Sequence, residues 1–374
     1  WDQQLPADHS DQLSRPTPVP HIWQISPHLY KYSGSGFGPN FTMILSDRGR
    51  ALLVDFGCLP GDAWWERAFD QMRERLGLKG IDAVIITHMH GDHIVQCPYL
   101  RQRFGTQIWT LDRIAEQFEH PERFDYTCPI QAYGGPEGIA VDRTFRPGET
   151  LHWEGFTFTF DWLPGQTEFG LCVHGEVDGQ HVAWTGDNVY ASRDDSGHDA
   201  VIARNSGIFE EGYIYCAEYL CALQPDLILA GHSSVIPHPA PQLERFRQWA
   251  YRARDAFRAL SPDGDYRWFF DPYWVRPYPY RSWVSPGTEC VLSLFIRRFG
   301  DGPHRCRVEA CLPEGWTAHP RVVEDAGEGE GVTPHRVVVR VPADATPGVR
   351  LVTFDVERNG VRLGERFEAL VAVT

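Results

Sequence analysis

The chain has 374 residues, of which 42% are hydrophobic and 13% are aromatic, and its formal net charge is −15. This length suits two domains, and the hydrophobic fraction allows a sizeable core, which excludes a disordered chain. The excess of 50 acidic over 35 basic residues argues against nucleic acid and against an anionic membrane surface as partners.

The N-terminal part of the chain predicts one polar arm, followed by short strands and one helix. Residues 1–20 are polar and contain several prolines, which predicts an extended arm. Residues 21–32 and 41–56 alternate in polarity like paired β-strands. The glycine-rich residues 33–40 between them predict either a loop over a binding site or a simple hairpin connection. Residues 61–76 carry apolar side chains at helical spacing and predict the first helix.

The most informative strand covers residues 83–87. Four apolar residues in a row, three of them β-branched, predict a fully buried strand. The chain leaves this strand directly into an H-x-H-x-D-H motif made of His88, His90, Asp92 and His93. His88 and His90 lie two apart and point the same way in extended backbone, so they can chelate one ion.

The rest of the motif predicts a second ion beside the first. The glycine before Asp92 lets the chain turn, so that Asp92 and His93 are free to face that second ion. Imidazole and carboxylate ligands suit Zn²⁺ or iron. A capping or surface role is the usual explanation for one histidine at a strand end, but it does not account for three histidines and an aspartate within six residues.

The chain beyond the motif continues with both helices and strands. Residues 97–104 and 111–118 predict short helices. Residues 120–139 are rich in proline, glycine and aromatic residues and predict a loop over the site. Residues 150–185 alternate like antiparallel strands, and residues 240–260 carry an apolar stripe that predicts a long helix. Strands followed by helices on both faces predict an α+β fold of the αββα sandwich type.

The C-terminal part changes character at residues 263–282, which hold three prolines and eight aromatic residues and predict a packed linker. Residues 283–374 show alternating strands, Gly/Pro-rich turns and no helical period, which predicts a small β-sandwich resembling bacterial immunoglobulin-like modules. The strands are expected at residues 290–296, 305–310, 336–341, 349–356 and 367–373. We therefore expect an arm at 1–20, a metal-binding domain at 21–262, the linker and the immunoglobulin-like domain.

The nine cysteines are an odd number, and none of them forms a C-x-x-C pair. Only Cys306 and Cys311 are close enough to suggest a disulfide, and strand alternation would turn them to opposite faces. No apolar run approaches the roughly 18 residues of a membrane span. We therefore expect a soluble protein in a reducing, cytoplasmic location. The chain begins at Trp1 rather than methionine, and a processed signal peptide would leave that location open.

The H-x-H-x-D-H motif resembles that of the metallo-β-lactamase fold superfamily, whose members are mostly two-metal hydrolases. Five short motifs of that family can be matched in order between residues 21 and 260. They are Asp55; His88, His90, Asp92 and His93; Pro164-Gly165-Gln166-Thr167; Thr185-Gly186-Asp187; and Gly231-His232-Ser233. The third motif departs from the family, because Gln166 stands where relatives have a histidine.

The resemblance implies the metal ligands and their grouping. A first Zn²⁺ ion would take His88, His90, Gln166 and Asp187, and a second would take Asp92, His93, His232 and the bridging Asp187. Iron or manganese remains an option at one of the two sites. Asp55 would support the metal-binding loop from behind. Gln166 leaves two outcomes open: it coordinates weakly, or the first site is empty or filled by water. We expect coordination, since both histidines of the first site are retained.

The same ligand set predicts a reaction. A metal-bound hydroxide would attack a small ester-like substrate such as a lactone, thioester or phosphodiester, with Asp92 helping to move the proton. The redox di-iron relatives have a glutamate at the position of His90, which argues against an oxidoreductase. The alternative is a metal-stabilised binding or structural protein whose chemistry Gln166 has silenced. His198 and Arg204, in the loop after the fourth motif, are candidates for contact with a small-molecule substrate.

Overall fold

The computed structural model of the protein describes residues 14–33, 40–57, 62–124, 138–190, 208–232, 235–261 and 264–374. These residues fall into two compact units. The first unit runs to Phe257, and the second comprises Arg258–Thr374 with a short segment that begins at Glu122. None of the described helices combines the length and the apolar character that are needed to cross a bilayer.

The first sheet of the first unit has eight strands in chain order. They are β1 Arg15–Pro16, β2 Ile22–Ser26, β3 Leu29–Ser33, β4 Asn40–Leu45, β5 Arg50–Val54, β6 Gly80–Ile85, β7 Gln107–Leu111 and β8 Arg143–Phe145. Strands β1 to β5 pair antiparallel, whereas β5 to β8 pair parallel. Helices cross between the parallel strands: α1 Asp62–Leu76, α2 Gly91–Ile94, α3 Cys97–Phe104 and α4 Asp112–Glu119. The carboxyl ends of these parallel strands share one edge of the sheet.

The second sheet of the first unit has six strands in the order β14-β13-β12-β11-β10-β9. They are β9 Glu149–Trp153, β10 Phe156–Trp162, β11 Leu171–Val177, β12 Gln180–Gly186, β13 Leu227–Ala230 and β14 Ile236–Pro237. Helix α5 Tyr213–Leu223 joins β12 to its parallel neighbour β13, and α6 Ala240–Leu260 follows β14. The ends of β12 and β13 therefore also meet at one edge.

Aromatic side chains fill the space between the two sheets. The rings of Phe145 and Phe160 stack with their centroids 3.7 Å apart. The buried indole N–H of Trp184, on the second sheet, donates to Thr42 Oγ1 on the first sheet at 2.5 Å. Helix α1 packs the fully buried Trp65 on the first sheet, and truncation of such a residue to alanine costs about 3–5 kcal/mol. This arrangement of helices on two sheets confirms the predicted αββα sandwich.

The second unit is almost entirely β-structure. After α7 Arg267–Phe270 come β15 Val275–Tyr278, β16 Arg281–Val284, β17 Glu289–Arg298, β18 Pro303–Cys311, β19 Thr317–His319, β20 Val322–Glu328, β21 Gly331–Arg340, β22 Gly348–Arg358 and β23 Val361–Val373. Four of these strands form one sheet, β15-β17-β21-β19, and five form another, β16-β23-β22-β18-β20. An additional β-rich module is confirmed, whereas its immunoglobulin-like nature stays a prediction.

Two sequence expectations for the second unit, on its cysteines and on its linker, can be compared with the structure. Cys306 and Cys311 are both free thiols, the first buried and the second half-buried. The residues predicted as a linker contribute β15 and β16, which pair with β17 and β23. The domain boundaries at residues 262 and 282 stay predictions.

Candidate metal centre

The candidate site lies at the edge of the sandwich where strands from both sheets end. Strand β6 ends at Ile85, and the chain then carries the H-x-H-x-D-H motif into the short helix α2. The segments after β10, β12 and β13 reach the same edge. They contribute Gln166, Asp187 and His232, respectively. Segments that are far apart in sequence therefore supply one site.

Three groups of side chains at this edge could each hold a metal ion, and one of them, Asp55 with His88 and His93, shares its histidines with the other two. The ligand atoms of His88, His90 and Asp187 lie within 4.8 Å of one another, and those of Asp92, His93 and His232 do so as well. Asp187 Oδ2 is 3.3 Å from His93 Nε2, 3.3 Å from His232 Nε2 and 3.6 Å from His88 Nε2. The Asp187 carboxylate thus lies between the two groups, as a bridging ligand would.

Asp55 sets the proton positions of two histidines behind the site. Its Oδ1 accepts from the Thr87 backbone N–H at 2.7 Å, and its Oδ2 accepts from the Thr87 hydroxyl at 2.7 Å and from His93 Nδ1 at 3.0 Å. Since the Thr87 hydroxyl donates to Asp55, its oxygen accepts from His88 Nδ1 at 3.0 Å. Both imidazoles therefore carry their proton on Nδ1, which leaves each Nε2 as a ligand atom.

The backbone approaches these side chains closely at two glycines. A Cβ on Gly57 would overlap the backbone of Asp92 and His93, and a Cβ on Gly231 would overlap the Asp187 carboxylate and lie 2.6 Å from His93 Cε1. Asp55 itself adopts a φ of 59°, a left-handed conformation that costs a non-glycine residue roughly 1–2 kcal/mol. The local backbone is therefore shaped to converge on the site.

Several buried polar atoms at the centre have no hydrogen-bond partner among the described residues. They are His88 Nε2, His93 Nε2, Asp187 Oδ1 and Gln166 Oε1. Each unpaired buried polar group costs about 1–3 kcal/mol, so four at one point predict a missing partner that binds all of them. Nitrogen and oxygen donors of this kind are typical zinc ligands. The donor set therefore fits a divalent metal.

The buried carboxylates and imidazoles at the centre shift one another's pKa values. Burial, together with the neighbouring His88, lowers the pKa of His90 to about 3, so its imidazole is neutral at physiological pH. Burial alone would raise the pKa of Asp187, but the imidazoles of His93 and His232 outweigh it and hold that pKa well below its usual range. Burial would lower the pKa of His232, but the carboxylates of Asp187 and Asp92 outweigh burial and raise that pKa to about 10. A divalent cation can replace the protons that these histidines attract.

Gln166 is part of this cluster. The residue is 8% exposed, and its backbone N–H donates to Asn188 Oδ1 at 2.8 Å. Its side-chain Nε2 donates to Asp187 Oδ2 at 3.3 Å, while its Oε1 is one of the unpaired buried atoms. The amide that replaces the family histidine therefore remains within reach of the site, with one oxygen available.

The motifs do not predict three further residues that contact the ligands. Thr87 links Asp55 to His88, and Asn188 holds the Gln166 loop through its contacts with Gln166 N and Leu163 O. Tyr190 faces the site: its ring centroid lies 5.9 Å from that of His232, and burial and a hydrogen bond to Asp187 raise its pKa. The only sequence signal for these residues is their place next to predicted ligands.

Some predicted features lie outside the described residues. They are the substrate candidates His198 and Arg204, most of the N-terminal arm, and most of the loops predicted at residues 33–40 and 120–139.

Comparison with known proteins agrees with this geometry. The family model "Metallo-beta-lactamase superfamily" matches residues 35–232. The chain is 32% identical over 164 residues to hydroxyacylglutathione hydrolase GloC of Haemophilus influenzae. The aligned residues cover 42% of this chain and 69% of that protein.

Two solved structures illustrate the comparison. The metallo-β-lactamase MIM-1 from Novosphingobium pentaromativorans is 14% identical and aligns with a TM-score of 0.50 over 68% of this chain and 97% of its own. A metallo-β-lactamase with a HARLDQ motif from Cronobacter sakazakii is 18% identical, with a TM-score of 0.49 over 64% of this chain and 95% of its own. The likeness to MIM-1 is one of fold alone. The family match and the curated relative show more: the chain belongs to the metallo-β-lactamase superfamily and is a hydrolase of that superfamily.

Proposed function

We propose that the protein hydrolyses a small ester-like substrate, with a thioester as the first candidate and a lactone or phosphodiester as the others, at a centre of two Zn²⁺ ions. The observation that carries this proposal is the set of buried, unpaired ligand atoms around Asp187. The thioester is placed first because the curated relative is named for the hydrolysis of hydroxyacylglutathione, which is a thioester.

The ligand assignment is part of the proposal. One ion would take His88, His90, Gln166 Oε1 and Asp187, and the other would take Asp92, His93, His232 and Asp187. This grouping is supported by the two clusters whose ligand atoms lie within 4.8 Å of one another. Iron or manganese in place of one zinc would use the same donors.

The side chains divide the work of the reaction. When bound, the ions would supply Lewis acidity and an activated water. Asp55 and Thr87 accept from Nδ1 of two imidazoles, which directs each Nε2 towards the centre. The Asp92 side chain is 22% exposed, whereas that of Asp187 is 4% exposed. Asp92 is therefore the carboxylate that solvent and substrate can reach, and we assign it to accept the proton of the water and deliver it to the leaving group.

The test starts from protein purified without added metal. We expect close to two metal ions per chain and turnover of S-lactoylglutathione that is lost on chelation and restored by zinc. Asp92→Asn and His232→Ala should abolish turnover with an unchanged circular dichroism spectrum. Asp70→Asn is the matched control, because Asp70 is a largely exposed carboxylate that pairs with Arg73 on the surface of α1.

Other outcomes have distinct meanings. Turnover of a lactone or a phosphodiester instead of the thioester would keep the hydrolase and change the substrate. Bound metal without turnover of any compound in such a panel would favour the binding or structural alternative, in which Gln166 silences the chemistry.

A further inference from the structure

We propose that Arg113 and Trp162 bind a carboxylate at the end of the substrate that lies away from the bond to be cleaved, and that the protein therefore selects anionic, extended substrates. This inference rests on the proposed hydrolysis and adds a substrate class and a specificity-determining residue to it.

Arg113 is an exposed cation that is held in place without being neutralised. Its guanidinium carbon lies 3.9 Å from the centroid of the Trp162 ring. Among the residues that the structure describes, no carboxylate forms an ion pair with Arg113. The nearby arginines differ, since Arg101 pairs with Asp142 at 2.7 Å and Arg103 pairs with Glu66 at 2.8 Å. A guanidinium that stacks on an aromatic face keeps its N–H edge free for a bidentate carboxylate.

Trp162 ties this cation to the candidate metal centre. It is the last residue of β10 and pairs with Leu171, whose backbone N–H donates to Thr87 O at 2.9 Å. The Trp162 indole N–H donates to Glu168 O at 2.8 Å, within the same loop that carries Gln166. The guanidinium is therefore separated from the metal ligands by the end of β10 and by the loop that carries Gln166. A substrate that reaches both points has to be extended.

A third element closes the same rim. The ring of Tyr215, in the first turn of α5, lies 5.0 Å from that of Trp162, and the residue is 38% exposed. Two residues earlier in the same turn, Tyr213 is buried, and its pKa is raised by burial first, then by Cys216 and then by Asp187. Arg113, Trp162 and Tyr215 thus line the edge of the site from three different elements, and the Tyr215 hydroxyl offers a second donor to an anion.

The charge of the whole chain makes this rim selective. A net charge of −15 repels anions in general, so a local cation without a neutralising neighbour gives an anionic substrate one favoured orientation. A neutral substrate gains nothing from it. Because the contact is exposed to solvent, we expect its loss to raise KM by about five- to tenfold rather than to abolish turnover.

The experiment compares S-lactoylglutathione with its diamide, in which neutral amides of nearly the same shape replace both carboxylates and only the ammonium group keeps its charge. In Arg113→Gln we expect a five- to tenfold higher KM for the acid, an unchanged kcat and no effect on the diamide. Arg113→Lys should restore part of the preference. Arg143→Gln is the matched control, because Arg143 also lies over an aromatic ring, Phe145 at 4.2 Å, but at the first residue of β8 and thus at the opposite edge of the sheet.

A second readout does not need turnover. The Arg113 Nε–Hε signal, identified by its absence from Arg113→Gln, should shift on titration with S-methylglutathione and not with its diamide. If the wild type cleaves neither thioester, the proposed reaction fails on this substrate, and the titration alone decides the inference. Equal effects of Arg113→Gln on acid and diamide, or an Arg113 signal that ignores the acid, would overturn it.

Discussion

The described part of the first unit shows two further histidine–carboxylate clusters besides the candidate metal centre, and the three differ in how their polar atoms are paired. On the second sheet, His174 Nδ1 lies 3.1 Å from His181 Nε2, and His174 Nε2 lies 3.2 Å from Asp161, which also accepts from Tyr219 at 2.6 Å. At a turn of β2 and β3, His28 lies between Asp178 at 2.6 Å and Asp47 at 3.1 Å.

These two clusters have the same residue types as the candidate centre, yet both ring nitrogens of His28 and of His174 have partners within the protein. At the centre, the Nε2 atoms of His88 and His93 are buried and unpaired. The difference teaches that composition does not mark a metal site. The convergence of several such atoms at one point distinguishes the candidate centre, because isolated buried atoms without a hydrogen-bond partner also occur elsewhere, as on His304.

The largest expected effect comes from replacing one aspartate by asparagine in the candidate centre and comparing the result with the same replacement in another cluster. Asp187→Asn should remove at least one ion per chain and lower kcat/KM by more than about 10³-fold, since the bridging charge is lost. Asp161→Asn, in the cluster of His174 and His181, should leave metal content and turnover unchanged. Metal analysis and thioester kinetics on both variants check this. Loss of metal in Asp161→Asn would show that the comparison between clusters is wrong.

A smaller effect is expected behind the ligands. Thr87→Val removes the hydroxyl that orients His88, while the direct contact between Asp55 and His93 remains. We therefore expect the first ion to bind about 10- to 100-fold more weakly and the second to be little affected. Titration with a chromophoric chelator resolves the two ions. Equal weakening of both would contradict the assignment of Thr87 to one histidine.

Gln166→His tests whether the amide oxygen is a working ligand. An imidazole is a better zinc ligand than an amide, so we expect at least about tenfold tighter binding of the first ion and a changed kcat. Gln166→Ala provides the comparison, because it removes the ligand atom without replacing it. If Gln166→Ala matches the wild type in metal content and affinity, the amide does not coordinate.

The smallest effect belongs to His28. Hydrogen bonding to Asp178 raises its pKa, against a lowering by burial, so protonated His28 stabilises the folded state. That stability is complete below the unfolded pKa of about 6.5 and is lost as the pH rises through the raised folded value. His28→Gln should therefore lower the free energy of unfolding by less than about 1 kcal/mol near pH 6, and by less still near pH 9. Urea unfolding at both values measures it, and a larger deficit at pH 9 would reverse the sign.

The sequence predicts best what is local. The ligands His88 to His93 follow a buried strand within six residues, so spacing alone predicts their convergence. Asp187 and His232 depend on the family resemblance, because their own surroundings look like ordinary turns. Tyr190 and Thr87 have no signal beyond their place near predicted ligands, since the contact of Thr87 with Asp55 and that of Tyr190 with His232 arise only when separate segments fold together.

The second unit shows the same limit in its core. Strand β20 was not among the predicted strands, because its sequence is acidic and lacks apolar alternation. Its Asp325 is nevertheless 4% exposed, where it accepts from Arg298 at 3.0 Å and from His335 at 3.0 Å. A buried charge that is paired across strands cannot be recognised from its own neighbours in sequence. Strands β15 and β16 are likewise not predicted, because they lie in or next to a proline-rich stretch and pair with β17 and β23 only in the folded unit.

The proposed ligands come from both sheets, with His88 and His93 following a strand of the first and Asp187 and His232 following strands of the second. An ion held by them would act as a cross-link between segments that are distant in the chain, and its binding energy would appear as resistance to unfolding. At a free concentration a hundred times its dissociation constant, each ion adds about 2.7 kcal/mol to that resistance. The αββα sandwich would then be most stable with its metal ions bound, which is also its reactive form. Removal of the metal would make unfolding easier at the edge where the two sheets share ligands.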